Sequence, residues 1–366
     1  MTTHVICLDG TGQTKTQEHP TNIALIFDAL GMGATDGGNQ SREISAGDLL
    51  GKYIPGVGTQ GNFILKTLGL GFGDGLAEQI VRGYTFLSRN YQPGDTIFIT
   101  GFSRGAAAAR ALAGFVVNKG LLDKTTYAPD DKNNAYLRAI AAWYDYRSHN
   151  KVLVKADRWT SLKIGKNYKI PPADSITYVA VDEIAAIAVF DTVSSLGLPH
   201  LDSKGDAVFD FAICDTELNP KVKYGFHALA ADEVRDLFGP TYWTPRAGIE
   251  QVVFPGVHSN VGGGYPERGL SDGALDWMIA KLAGAGLVLD TRLIKSGIKP
   301  NALDVARDDA LSWPFRDTPQ RYRFLPPDAN LHPSLQTRWG KRVEIRGYGK
   351  MTYRAKGLKA DGKSLI

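Results

Sequence analysis

Short runs of β-branched, aromatic and small apolar residues recur along the chain, each followed by a glycine- or aspartate-bearing turn. Residues 4–8, 96–100 and 185–190 have the composition of strands buried on both faces of a parallel sheet, and 249–254 reads as a further strand. The segments between them carry apolar residues at helical spacing. They predict helices at 22–30 closed by Gly31, at 76–90 through Ile80, Tyr84 and Leu87, and at 104–118 ending on Lys119-Gly120. Further helices are expected at 135–146, 228–237 and 272–283. Strands alternating with helices give an α/β fold: a mostly parallel sheet with helices on both faces and inserted cap segments. The expected organisation is one domain over 1–366, with insertions at 31–75, 121–178 and 196–248 and a basic C-terminal segment, 338–366.

Composition narrows this picture only a little. A chain of 366 residues, 43% hydrophobic and 22% charged, is able to bury a large core. Lys and Arg total 42 against 38 acidic residues, and the resulting +4 is too mild to indicate nucleic acid. The charge is unevenly placed: from Arg338 to Lys363 there are nine basic and two acidic residues. Two cysteines, Cys7 and Cys214, do not make a disulfide framework. No signal-peptide pattern and no apolar run of membrane-spanning length occurs, so synthesis in the cytoplasm is expected. The glycine run Gly69-Leu-Gly-Phe-Gly-Asp-Gly75 misses the spacing of a dinucleotide loop, and no strand leads into it.

The chemistry is concentrated where the 96–100 strand meets the Ala-rich helix. Gly101-Phe-Ser103-Arg-Gly105 is a G-x-S-x-G elbow between a strand and a helix, the context in which a tight turn lifts serine above the sheet. Serine needs a base, and the base needs a group that fixes its tautomer. Of seven histidines, His258 follows the cleaner strand in a glycine-dense loop. His227 is the rival, with a cap or core hydrogen bond as its plain structural role. Asp191 closes the 185–190 strand, which makes the order Ser103, Asp191, His258, that of α/β-hydrolases. The oxyanion hole is expected from the Arg104 backbone N–H plus a second donor in Asp9-Gly-Thr-Gly12, Gly10 or Thr11. Arg104 and Arg110 are read as ion-paired supports under the site, with headgroup contact as the alternative. No metal or organic cofactor is required: there is no H-E-x-x-H and no Cys/His cluster.

These motifs occur together in one known family. Leu8-Asp-Gly-Thr-Gly12, Pro55-Gly-Val-Gly-Thr59, Tyr91-Gln-Pro-Gly-Asp95, Gly101-Phe-Ser-Arg-Gly-Ala106, Phe190-Asp-Thr-Val193, His227-Ala-Leu-Ala-Ala-Asp-Glu233, Phe254-Pro-Gly-Val-His258, Gly262-Gly-Gly-Tyr265 and Leu331-His-Pro-Ser334 keep their order along the chain. In them the chain resembles the α/β-hydrolase domain of type VI secretion lipase effectors and the wider uncharacterised family that shares it. Asn260 stands where that family usually has aspartate, and Gln13 where asparagine is common; neither touches the expected triad. The resemblance implies Ser103, Asp191 and His258 as the triad and phospholipase A activity. It also implies a role in interbacterial killing and delivery into a target cell's periplasm without a signal peptide. A secretion-apparatus or immunity protein is the partner to expect.

The function expected is therefore serine ester hydrolysis through an acyl-enzyme, with phospholipid as substrate by family resemblance. Two alternatives stand beside it: an esterase or thioesterase for small soluble acyl substrates, and a non-catalytic binding module of the same fold. The C-terminal cations Arg338, Lys341, Arg342, Arg346 and Lys350 are either solvated surface or a peripheral contact with anionic membrane.

Overall fold

In the computed structural model, residues 1–15, 17–38, 40–56, 72–148, 171–193, 200–201, 207–208, 216–308, 320–323, 325 and 330–360 are described. The pleat of the strands determines the layers. In β1 (Thr3–Leu8), Ile6 and Leu8 point to one helical layer, whereas Val5 and Cys7 point to the other. The same division runs through β4 (Leu49–Ile54) and β5 (Thr96–Phe102), where Ile97 and Ile99 oppose Phe98. On the first face lie α2 (Phe72–Asn90), α3 (Arg104–Lys119) and α4 (Lys132–Ser148). On the second lie α1 (Asn22–Asp28) and α6 (Gly269–Gly284), with the short α5 (His258–Gly262) preceding α6.

The sheet is completed by β2 (Thr35–Gly38), β3 (Ser41–Ala46), β6 (Ile184–Phe190), β7 (Val222–Ala230), β8 (Ile249–Phe254) and β9 (Asn330–Leu331). Among the described residues it has nine strands in the order β9-β8-β7-β6-β5-β1-β4-β3-β2. From β9 through β4 every neighbour is parallel, and β3 runs antiparallel between β4 and β2. This is an α/β-hydrolase-like fold, a mostly parallel sheet between helical layers. Its register brings strand ends together: Leu8 pairs with Gly101, Phe102 with Phe190, Phe190 with Ala228, and Ala230 with Phe254. The loops after β1, β5, β6, β7 and β8 therefore leave one edge of the sheet side by side, where α/β folds gather ligand contacts.

Three readings of the sequence are corrected. Residues 35–54, taken as part of an insertion, form β2 to β4 of the main sheet. Residues 222–230 fall within the insertion expected at 196–248, yet β7 lies between β6 and β8. The α-helix expected at 228–237 is not formed: Ala228, Leu229 and Ala230 end that strand, and a turn leads to a single 3-10 turn, Asp236–Phe238; small apolar residues suit a strand covered on both faces as well as a helix. Outside the described residues lie the start of the glycine run 69–75, part of the insertion expected at 121–178, Cys214 and the end of the basic segment, 361–366.

Candidate active site

Ser103 sits at the junction of β5 and α3 with φ 58° and ψ −123°, a backbone conformation that L-residues rarely adopt. The two flanking glycines make this possible. A Cβ on Gly101 would stand 2.4 Å from the Gly105 carbonyl oxygen, and one on Gly105 would stand 2.3 Å from the Leu8 oxygen. The elbow is closed by backbone bonds: Ala106 N–H and Ala107 N–H donate to the Ser103 carbonyl at 3.1 and 3.3 Å, and Ser103 N–H donates to Phe190 at 3.1 Å. Asp191 follows the paired end of β6 and is also at positive φ, 42°. Both acidic and nucleophilic candidates are thus held in strained turns at adjacent strand ends.

His258 enters from the far side, at the first residue of α5. Its Nδ1 lies 2.6 Å from Asp191 Oδ2, and its ring lies 4.6 Å from that of Phe102, the residue before the serine. Its Nε2 is buried and, among the described residues, has no hydrogen-bond partner. A nitrogen in that state, beside the elbow, is placed to accept a proton, and such contacts often tighten only when substrate binds. Gly262 leaves room for this arrangement, since a Cβ there would be 2.0 Å from the Phe102 ring.

The loop carrying His258 is fastened by the two acids after β7. Asp232 accepts from Gly256 N–H at 2.7 Å and from the Tyr353 hydroxyl at 2.7 Å. Glu233 accepts from His258 N–H at 3.3 Å, and Arg235 forks onto it at 2.8 and 2.7 Å. Burial raises the Glu233 pKa, but Arg235 beside it outweighs burial and brings it down to about 2. Asn22 adds a tie from α1, donating to Val261 and Ser271 carbonyls at 2.8 and 3.0 Å.

Asp191 is fully buried, and all its acceptor capacity is used. Ala230 N–H donates to Oδ1 at 3.0 Å, Arg323 donates to Oδ1 at 2.6 Å and to Oδ2 at 2.9 Å, and His258 completes the set. Burial would raise this carboxyl, but the Arg323 guanidinium, and after it the His258 bond, hold it well below the usual carboxylate range. His227 is elsewhere: it lies within β7, fully buried, its Nε2 accepting Thr192 N–H at 3.1 Å. Burial first, then Arg110, lowers its pKa to about 3, so it is a neutral acceptor supporting the turn after Asp191.

The β1 loop stands opposite. Asp9 is fully buried and accepts from Tyr53 at 2.6 Å, Thr21 at 2.7 Å and Gly10 N–H at 2.7 Å. Burial, stronger than those three donors, raises its pKa to about 6. The bond to Asp9 engages the N–H of Gly10, one of the two oxyanion donors expected from that loop, the other being Thr11. Arg104, first residue of α3, contacts the Thr11 hydroxyl through its Nε. Arg110 is buried, donates to the Thr241 carbonyl at 2.5 Å and stacks on Trp243 at 4.9 Å, a support and not a surface headgroup contact. Among the described residues no cluster of His, Cys, Asp and Glu could hold a metal ion.

Sequence reasoning passed over Asp232, Glu233 and Arg323. The two acids stood in a quoted motif, but the helix reading hid their place in the turn after β7. Arg323 has no local signal at all. The fold and this strand-end constellation define the class as α/β-hydrolase-like. The model of the T6SS phospholipase effector Tle1-like catalytic domain matches residues 2–281, and the chain belongs to that family. It is 32% identical over 133 residues to an uncharacterized protein of Saccharomyces cerevisiae, YEL023C, an alignment covering 33% of this chain and 18% of that one. Among solved structures it is similar to an uncharacterized protein from Pseudomonas aeruginosa, at 16% identity and TM-score 0.44, over 82% of this chain and 49% of the other. It is also similar to the Tle1 effector bound to the VgrG spike of the type 6 secretion system, at 20% identity and TM-score 0.37, over 73% and 52%. The chain thus spans under a fifth of the curated relative and about half of each solved one.

Proposed function

We propose that the chain is a serine ester hydrolase of the phospholipase A type, with Ser103 as nucleophile, His258 as base and Asp191 as the group that orients the imidazole. The observation that carries this reading is the 2.6 Å bond from His258 Nδ1 to Asp191 at the strand ends beside the strained Ser103 elbow. Membership of the phospholipase effector family supports the substrate class.

In the proposed reaction the Ser103 oxygen attacks the acyl carbonyl while its proton passes to His258 Nε2. The resulting oxyanion is met by the backbone N–H groups of Arg104 and Thr11. Collapse expels the lysophospholipid alkoxide, which takes the proton from the imidazolium and leaves an acyl-serine. Water, deprotonated by His258, then releases the fatty acid and restores the serine. No cofactor takes part. The same family membership supports a biological setting as an antibacterial type VI effector, made in the producing cell, carried by the secretion apparatus to a target periplasm and countered by an immunity protein. Peripheral contact with anionic lipid through the exposed C-terminal cations Lys341, Arg342, Arg346 and Lys350 belongs to this proposal.

Hydrolysis of a short-chain chromogenic ester and of mixed phospholipid vesicles tests it, with labelling by a fluorophosphonate as an independent readout. Ser103→Ala and His258→Ala are each expected to lower turnover roughly 10⁴ to 10⁶-fold, the double variant scarcely further, and Asp191→Asn somewhat less. Loss of activity in a folded His227→Ala alongside an active His258→Ala would overturn the assignment of the base.

A further inference from the structure

We infer that Arg323 is a positioning residue of this site: by forking onto Asp191 it sets how tightly the Asp191–His258 pair holds a proton, and so how far into acid the site works. The inference rests on the proposed function of that pair.

The geometry is that of a bidentate guanidinium–carboxylate pair, with both bonds at 2.6 and 2.9 Å. Arg323 is itself buried, and its two Nη groups also reach the same turns, Nη1 to the Ala230 carbonyl at 3.1 Å and Nη2 to that of Phe238 at 2.6 Å. The segment bearing it is tied to the turn after β7, since Arg321 N–H donates to Val234 at 2.7 Å and Gln320 bridges Arg235. It lies beyond residue 281, where the family match ends. A side chain from outside the matched region therefore completes the coordination of the acid.

A carboxylate facing only an imidazole would lend it the whole of its negative charge and favour imidazolium, the form that cannot act as base. Here that charge is divided between two cations. The other groups facing the pair do not decide the balance. Glu233 and Arg235 neutralise each other through their own fork. His227, behind the Asp191 turn, is held neutral with a pKa of about 3, burial being the main cause and Arg110 the second. Tyr242 is pushed up by burial and keeps its proton. Arg110, on the far side of His227, is occupied by the Thr241 carbonyl and the Trp243 ring. What remains is Asp191, Arg323 and the imidazole, a coupled set whose proton belongs to the pair.

Removing the cation makes the pair bind its proton more tightly, so the acid limb of activity must move to higher pH. The test compares the protein with R323Q and R323K, using the pH profile of kcat/KM on a soluble chromogenic ester and, without any need for turnover, the pH titration of the His258 ring resonances by NMR. R323Q is expected to move both transitions upward by about one pH unit. R323K, which keeps the charge and loses the fork, is expected to leave them in place while lowering the plateau. Two results overturn the inference: a plateau that falls in R323Q with no movement of either transition, and a transition that moves in R323K as far as in R323Q. If R323Q does not fold, R323K still decides, because a transition displaced by a full unit with the charge retained is incompatible with it. A wild-type protein that neither hydrolyses ester nor reacts with fluorophosphonate would refute the proposed function, while the ring titration would still test Arg323.

Discussion

At the scale of single residues, what singles out this site is backbone strain held by neighbours that cannot yield. Ser103 and Asp191 are two of the three non-glycine residues at positive φ among those described. Strain of this kind costs of order 1–3 kcal/mol per residue and persists only where the surroundings over-determine it. Gly105 is one such determinant, because what a Cβ there would strike is backbone, the carbonyl oxygens of Leu8 and Asp9 at 2.3 and 2.5 Å. Gly105→Ala is therefore expected to destabilise the fold by about 3 kcal/mol or more and to abolish labelling of Ser103 by fluorophosphonate. Urea unfolding and gel fluorescence would measure the two effects, and near-native stability with intact labelling would show that the elbow tolerates a side chain. The positions of Ser103, Asp191 and His258 were legible because each is a chemistry-bearing residue at the end of an apolar run. Nothing in Asp9-Gly-Thr-Gly12 tells that the Gly10 N–H turns onto the carboxylate before it.

At the scale of elements, the loops matter through what ties them. The strand–turn ending in Asp232 and Glu233 fastens the His258 loop from below, and Arg235 neutralises Glu233 by a bidentate bond. Removing one partner of a buried pair leaves the other charge uncompensated. Glu233→Gln is expected to cost about 3 kcal/mol at neutral pH and to lower ester turnover, since the His258 N–H loses a charged acceptor. The pH dependence has a definite sign. The Glu233 pKa falls from 4.5 to about 2 on folding, because Arg235 outweighs burial, so the carboxylate stabilises the fold fully above about 4.5 and progressively less as pH falls toward 2. The gap between protein and variant in urea unfolding should therefore narrow from pH 6 to pH 3; a constant gap would mean that the charge is not what stabilises. Uncharged β-branched and aromatic runs such as 96–100 announce themselves as strands. Lys221 to Ala230 does not, because glycine and alanine there serve a strand as readily as a helix, and only its neighbours β6 and β8 decide. β2 to β4 were missed because none of them alternates cleanly: β2 is exposed and half glycine, β3 is largely polar, and β4 breaks its apolar run with Gly51-Lys52.

At the scale of the whole molecule, folding redistributes the C-terminal cations. Arg338 is not a surface charge: it is fully buried, donates to the Ala302 and Asp304 carbonyls at 2.7 Å and lies over the Tyr353 ring at 4.9 Å. Its expected part in lipid contact is withdrawn on that ground. Lys341, Arg342, Arg346 and Lys350 remain exposed on or beside a hairpin, β10 (Arg342–Ile345) paired with β11 (Gly349–Thr352). Arg346 is held by Glu267, whereas Tyr348 and Met351 of the same hairpin are 50% and 42% exposed. Basic residues near an anionic surface contribute about 1 kcal/mol each, and aromatic and apolar side chains among them suit an interface. No helix among the described residues is long and apolar enough to cross a membrane. Such attraction is screened over about 8 to 10 Å at moderate salt. Hydrolysis of anionic vesicles is therefore expected to weaken markedly between low and high salt, while hydrolysis of a soluble ester hardly changes. A triple variant, Lys341→Gln, Arg342→Gln and Lys350→Gln, should abolish the salt sensitivity on vesicles and leave soluble-ester turnover intact, and Arg338→Gln should instead lower stability with both substrates affected alike. Equal salt dependence on the two substrates, or a triple variant that behaves as the parent does on vesicles, would return the hairpin to ordinary solvated surface.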